Sequence, residues 1–119
     1  GPMAYDSPNA MVKRELNISN LAITSSASAA KYIIFQKSRL IAVHCLVGTA
    51  GTNAAAGLNI YVGTDSVGAL TYGTDTAGVV VDAAISAAIP ADSYIEIKGK
   101  ATSEATVSLA IEYQATGDA

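Results

Sequence analysis

Charged side chains are scarce in this sequence. Only 14% of the 119 residues are Asp, Glu, Lys or Arg, against about 25% in an average soluble protein. Half of the residues are hydrophobic by type, but 23 of the 119 are alanine. Two explanations stay open: neighbouring subunits cover part of the surface, or the surface consists of Ser, Thr, Gly and Ala. The first explanation predicts an assembling protein.

Residues that carry enzyme chemistry are also scarce. The chain has one His, one Cys and no Trp, and no serine lies in a Gly-x-Ser-x-Gly sequence. His44 and Cys45 are neighbours in a predicted strand, so their side chains point to opposite faces and do not form a catalytic pair. Cys45 has no cysteine partner for a disulfide and is predicted to be a small buried residue. His44 is predicted to be a structural histidine with a hydrogen-bond partner.

A glycosidase would need two carboxyl groups in one cleft. Glu96, Glu104 and Glu112 are the candidates, but the strand pattern places Glu96 and Glu112 on the outward phase. Outward positions of sandwich strands are usually solvated, so we expect solvated carboxylates there. The sequence contains no enzyme signature, and no cofactor or metal is expected.

Long apolar runs and dense basic clusters are both missing. No stretch has 18 consecutive apolar residues, the length of a membrane-spanning helix, and no secretory signal follows Met3. The local basic group Lys31, Lys37 and Arg39 is much sparser than a nucleic-acid footprint. We interpret these three residues as solvated strand ends, and expect neither a nucleic acid nor a membrane as a partner.

The chain divides into a short arm and one domain. Gly1 and Pro2 resemble the remnant of a protease site ahead of a natural Met3. Residues 1–14 contain Pro8 and show no regular period, which predicts an extended N-terminal arm. Residues 15–119 are predicted to form a single β-domain.

Alternating apolar residues predict about eight short strands and no secure helix. In residues 15–23 the apolar positions change phase, which predicts a β-bulge near Asn20. Residues 38–47 are largely apolar on both faces, and the alternation predicts that Leu40, Ala42, His44 and Leu46 share one face of the strand. Residues 80–89 and 106–114 alternate strictly. Short strands separated by frequent turn signals are typical of an all-β antiparallel β-sandwich, and we expect a jelly-roll-like one.

Two similar six-residue units follow each other in residues 59–81. Residues 63–68 read Gly-Thr-Asp-Ser-Val-Gly, and residues 73–78 read Gly-Thr-Asp-Thr-Ala-Gly. A strand between two turns would hold Asp65 and Asp75 on the order of 15 Å apart, too far to share one Ca²⁺ ion. Neither unit matches a phosphate-binding loop. Both units are therefore predicted to be turns, with glycine supplying positive φ.

The second half of the chain resembles small structural proteins of tailed-bacteriophage heads. The resemblance is carried by "FQKSRLIAVHCLVGTAG", a Gly-Thr-rich middle and the ending "IPADSYIEIKGKATSEATVSLAIEYQ". It covers residues 33–114. It implies a β-sandwich decoration or cement protein that assembles as a homo-oligomer, a trimer, on the major capsid protein. It also implies a location in the virion, at the capsid surface.

In such a protein the N-terminal arm would contact a neighbouring subunit or the capsid. The candidate contact residues are the apolar anchors Tyr5, Met11 and Val12 and the cations Lys13 and Arg14. A disordered terminus is the alternative.

A second function stays open, a carbohydrate-binding or receptor-binding module of a viral fibre. Such a module needs aromatic platforms, for which Tyr61, Tyr72 and Tyr94 are the candidates. An enzyme is the third possibility.

Overall fold

The computed structural model describes residues 13–116, which form eight strands and no helix. The strands are β1 (Lys13–Ile23), β2 (Ser28–Ile34), β3 (Ser38–Thr49), β4 (Gly57–Val62), β5 (Asp65–Thr71), β6 (Val80–Ile89), β7 (Ser93–Gly99) and β8 (Ala105–Ala115). Within these residues there is no helix of the length and apolarity that a membrane crossing requires.

The strands form two antiparallel sheets of four. Sheet A has the order β1-β8-β3-β6, and sheet B has the order β2-β7-β4-β5. The chain passes from one sheet to the other at every connection except the β4–β5 hairpin. This double Greek-key order over two facing sheets is that of a jelly roll, and it confirms the predicted fold class.

The core lies between the two sheets and is built from the inward phase of each strand. In β6, Ile85 and Ile89 point inward, and β8 buries Val107, Leu109 and Ile111. Both patterns agree with the alternation in the sequence. The alanine-rich segment that forms β6 is extended, because its large residues recur at every second or fourth position and fill one face of a strand.

A β-bulge in β1 keeps its apolar residues on one face. The pairing with β8 shifts between Ile18 and Leu21, and Asn20 has φ 53°, a left-handed conformation that asparagine tolerates better than most residues. Leu21 and Leu16 therefore both pack against the core. The bulge predicted near Asn20 is confirmed.

A second bulge, in β3, places Leu40 on the opposite face from the one that the sequence predicted. The pairing of β3 with both neighbours shifts between Leu40 and Ala42. As a result Leu40 is fully buried together with Val43 and Cys45, whereas the sequence pattern grouped it with His44. A run that is apolar on both faces contains no signal for such a shift.

The two Gly-Thr-Asp units are both turns, but the first turn is shorter than expected. Only Gly63 and Thr64 separate β4 from β5, and Gly63 has φ 60°, as the first position of a type II′ hairpin turn requires. Asp65 and the rest of the first unit belong to β5, so the strand begins earlier than the sequence suggested. In the second unit, the Asp75 amide donates to the Tyr72 carbonyl at 2.9 Å and closes a turn.

The first strand also begins earlier than expected. Lys13 and Arg14, which the sequence assigned to the arm, are its first two residues and pair with Gln114 and Tyr113 of β8. Pairing with the long β8 strand gives their backbone groups hydrogen-bond partners. Strand β1 is an edge strand of sheet A.

Candidate functional site

Small side chains are frequent on the outer face of sheet A. This face is built from the outward phase of β8, β3 and β6, where the residues are in register. Its small members are Ala42, Ala84, Ser86, Ala88, Ser108 and Ala110. Because Ala and Ser side chains are short, another protein surface can approach the backbone of this face closely.

His44 lies at the centre of this face between two carboxylates. In the strand register His44 is opposite Asp82 of β6 and Ala110 of β8, and Glu112 lies two residues further along β8 on the same face. The Nδ1 atom of His44 contacts Oδ1 of Asp82, and Nε2 is 3.2 Å from Oε1 of Glu112. A neutral imidazole donates from one nitrogen only, whereas the imidazolium donates from both. The arrangement therefore favours the protonated ring.

The pKa of His44 is raised from its ordinary value. The hydrogen bond to Asp82 raises the pKa most, partial burial lowers it, and the hydrogen bond to Glu112 raises it further. The three side chains form one cross-strand ion cluster, which we call the His44 cluster. The predicted presence of a hydrogen-bond partner for His44 is confirmed, although the sequence did not identify Asp82 and Glu112 as the partners.

Cys45 points away from the His44 cluster into the core. Its side chain is fully buried, and burial raises the pKa of the thiol to about 11. At neutral pH the thiol is protonated, and only a thiolate is an effective nucleophile. The strand thus separates His44 from Cys45, as the sequence predicted.

An apolar patch adjoins the His44 cluster. Leu46 of β3 is 44% exposed and Val80 of β6 is 57% exposed, and the two residues are paired on the outer face of sheet A. A shallow hollow of about 280 Å³ lies beside them, lined also by Asn17, His44, Ser108 and Ala110. Exposed apolar side chains in contact with each other often mark a protein–protein contact.

The outer face of sheet B has a different chemistry. Its central strand β7 presents Tyr94, Glu96 and Lys98, and β4 presents Asn59 and Tyr61 beside them. The ammonium group of Lys98 lies 4.8 Å from the centre of the Tyr61 ring. On the other side of β7, Lys31 of β2 lies 5.4 Å from the centre of the Tyr94 ring. Both distances are within the range of cation–π interactions.

Glu96 is not solvated, which corrects the expectation from the sequence. It does occupy the outward phase, but it is only 6% exposed. Its neighbours across the strands are Lys31 and Tyr61, and its Oε2 is 3.8 Å from Lys31 Nζ. Lys31 is solvated as predicted, with a 60% exposed side chain, but it lies in the middle of β2 beside Glu96 and not at a strand end.

The three glutamates proposed as possible catalytic groups do not converge. Glu96 lies on the outer face of sheet B, Glu112 lies on the outer face of sheet A, and Glu104 lies in the β7–β8 loop. Within residues 13–116, no three His, Cys, Asp or Glu side chains are placed to hold a metal ion.

The candidate aromatic platforms separate into two groups. Tyr61 and Tyr94 share the outer face of sheet B, as described above. Tyr72 is buried in the core, where its hydroxyl donates to the Ser103 carbonyl at 2.5 Å, and burial raises its pKa to about 12. Only two of the three tyrosines are therefore available to a ligand.

Among the predicted contact residues, Tyr5, Met11 and Val12 lie outside the residues that the structure describes. Lys13 is exposed at the start of β1, and Arg14 is half-buried. Arg14 lines a second hollow, of about 250 Å³, with the exposed residues Ile33 and Phe35. This exposure was not predicted, because the outward residues Ile33 and Phe35 are as apolar as the inward residue Ile34.

No protein-family model matches this chain, and no curated protein sequence matches it.

Proposed function

We propose that this chain is a structural virion protein, which decorates and stabilises a phage capsid as a homo-oligomer. The resemblance to phage head proteins suggests a trimer bound to the major capsid protein. The observation that carries the proposal is the outer face of sheet A, with its small side chains and its exposed pair Leu46 and Val80.

The composition of this face is suited to contact with another protein. The centres of protein interfaces are poor in charged residues. Among the described residues of β3, β6 and β8, this face carries one charged side chain outside the His44 cluster, Arg39, whose Nη1 donates to Ser86 Oγ at 2.9 Å. Small side chains also lose little conformational entropy when they are covered. These properties support a contact between subunits or with the capsid.

The His44 cluster fits the same proposal. A charge that is covered at an interface is costly unless it has a partner. Here each nitrogen of the His44 ring already faces a carboxylate within the subunit. The cluster can therefore be covered by a second protein surface without leaving the imidazole unpaired.

The jelly roll supports the proposal at the level of the fold. Viral capsid domains and lectin domains both use it, so the fold does not assign a function by itself. The proposal also includes a contact between the N-terminal segment and a neighbouring subunit or the capsid, through Tyr5, Met11 and Val12. The start of β1 at the edge of sheet A is compatible with such a contact.

Reconstitution on capsids tests the proposal. Particles of the parent phage prepared without this protein should bind the purified chain and sediment with it. The double variant Leu46→Ser/Val80→Ser should bind at least about tenfold more weakly, since interface hot spots contribute 1–2 kcal/mol or more.

The matched control is Ile33→Ser, which removes a 64% exposed side chain from the other sheet. It should bind capsids normally. Failure of the wild-type chain to bind any capsid preparation would refute capsid decoration. Loss of binding in the control alone would refute the assignment to sheet A.

A further inference from the structure

A polar hollow lies on the outer face of sheet B, at the end of β7. It has a volume of about 280 Å³ and is lined by Ser26, Asn59, Tyr61, Lys98, Gly99, Lys100 and Ala101. Backbone hydrogen bonds fix its walls: the Ser26 amide donates to the Lys100 carbonyl at 3.1 Å, and the Gly99 amide donates to the Ala27 carbonyl at 3.0 Å. The hollow is thus formed before any ligand binds.

The polar groups of this hollow are mostly hydrogen-bond donors. Lys98 and Lys100 contribute ammonium groups, and Asn59 contributes an amide. The hydroxyls of Tyr61 and Ser26 can also donate. Within the described part of the chain, no carboxylate lines the hollow. A site rich in donors is complementary to a ligand rich in acceptors, above all to an oxyanion.

The two lysines retain donor capacity for such a ligand. Among residues 13–116, neither Lys98 nor Lys100 forms an ion pair; the cation on this face that does is Lys31, with Glu96. Lys100 donates to Thr71 Oγ1 at 2.9 Å, which uses one of the three hydrogens of its ammonium group. Two ammonium groups are therefore available, on a chain whose net charge is −3.

The remaining groups favour a saccharide over other anions. Because the Lys98 ammonium lies over one face of the Tyr61 ring, Tyr61 offers a sugar its ring edge and its hydroxyl. The hydroxyl and amide groups of Ser26 and Asn59 match sugar hydroxyls. The size of the hollow is close to the lower end for small-ligand sites, about 300 Å³, which suits one or two sugar rings. A nucleic acid would require a much denser basic surface.

We propose that this hollow binds an acidic saccharide, a sugar that carries a carboxylate or sulfate group. Lys98 and Lys100 contact the anionic group, and Tyr61 and Asn59 contact the sugar ring. The site lies on the sheet opposite the proposed assembly face, so a capsid-bound subunit would still present it to solvent. It adds glycan recognition, such as adhesion to a cell surface, to the structural role.

An NMR titration of the purified chain tests this site with defined probes. Sodium glucuronate should shift the backbone amides of Asn59, Tyr61, Lys98 and Lys100 saturably, with a Kd of about 1 mM or tighter. Glucose tests the sugar without the anion, and sodium acetate tests the anion without the sugar. Each should bind at least about tenfold more weakly, because glucose lacks the anion that the two ammonium groups contact, and acetate lacks the sugar ring that Tyr61 and Asn59 contact. Glucose 6-sulfate should bind at the same amides.

The double variant Lys98→Gln/Lys100→Gln should lose glucuronate binding by at least about tenfold. Its matched control is Lys37→Gln, an exposed lysine in the β2–β3 loop, which should bind as the wild type does. Unchanged amide shifts in sheet A will show that the variants are folded. The proposal is overturned if glucuronate gives no saturable shift, if acetate or glucose binds equally well, or if the double variant keeps wild-type affinity.

Discussion

Replacing His44 by glutamine removes the charge at the centre of the outer face of sheet A. Glutamine keeps a hydrogen-bond donor but cannot be protonated, so the variant isolates the electrostatic part of the His44 cluster. The side chains of His44, Asp82 and Glu112 are 36%, 60% and 30% exposed. Because solvent screens such pairs, each ion pair is worth about 0.2–1 kcal/mol. The two pairs together should stabilise the fold by about 1 kcal/mol.

The sign of the pH dependence follows from the raised pKa of His44. The folded protein holds this proton more tightly than the unfolded chain does, so the stabilisation is fully present below pH 6.5, the ordinary histidine value. It is lost as the pH rises through the raised folded pKa. His44→Gln should therefore be less stable than wild type at pH 6 by about 1 kcal/mol, or about 4 °C in Tm. The difference should shrink above that folded pKa.

Urea unfolding at a series of pH values measures this difference. Because the chain contains a single histidine, an NMR titration of the imidazole also reports His44 without ambiguity. Its pKa should lie above 6.5, and Asp82→Asn should lower it, since the hydrogen bond to Asp82 is the largest cause of the shift. A pKa at or below 6.5, or a pKa that Asp82→Asn leaves unchanged, would refute the reasoning.

Three further variants or reagents test the packing of the sandwich. Gly57→Ala would place a Cβ atom 2.1 Å from the Leu70 backbone oxygen. We therefore expect the free energy of unfolding in urea to fall by about 3 kcal/mol or more. A variant as stable as the wild type would contradict the close approach of β4 to β5. Tyr72→Phe removes the buried hydroxyl that donates to the Ser103 carbonyl. It should lower the free energy of unfolding by about 1 kcal/mol in the same assay, and an unchanged free energy would argue against that hydrogen bond. Cys45 should react with a thiol reagent only after unfolding, and fast labelling of the native protein would contradict its burial.

The parts of the fold that the sequence predicts are those with one apolar and one polar face. Strands β6 and β8 alternate strictly, and burial of one face then determines which residues point inward. The phase change at Asn20 carries the same information, because a bulge is the simplest way to keep Leu16 and Leu21 on one face.

The parts that the sequence did not predict depend on pairings between distant strands. The shift in strand pairing at Leu40 lies in a run that is apolar on both faces. Apolar and polar residues do not alternate there, so the sequence does not predict the pairing register. Asp82 and Glu112 are 38 and 68 residues from His44 in sequence, and their convergence depends on the register of three strands. The burial of Glu96 likewise depends on side chains from β2 and β4. Neighbouring residues in the chain contain no signal for these contacts.

The mass of the protein in solution tests the proposed assembly face most directly. Size-exclusion chromatography with light scattering should give about 36 kDa for a trimer of the 12.0 kDa chain. The Leu46→Ser/Val80→Ser variant should shift the mass towards that of one chain, and Ile33→Ser should leave it unchanged. A wild-type protein that stays at 12.0 kDa at every concentration would contradict the account.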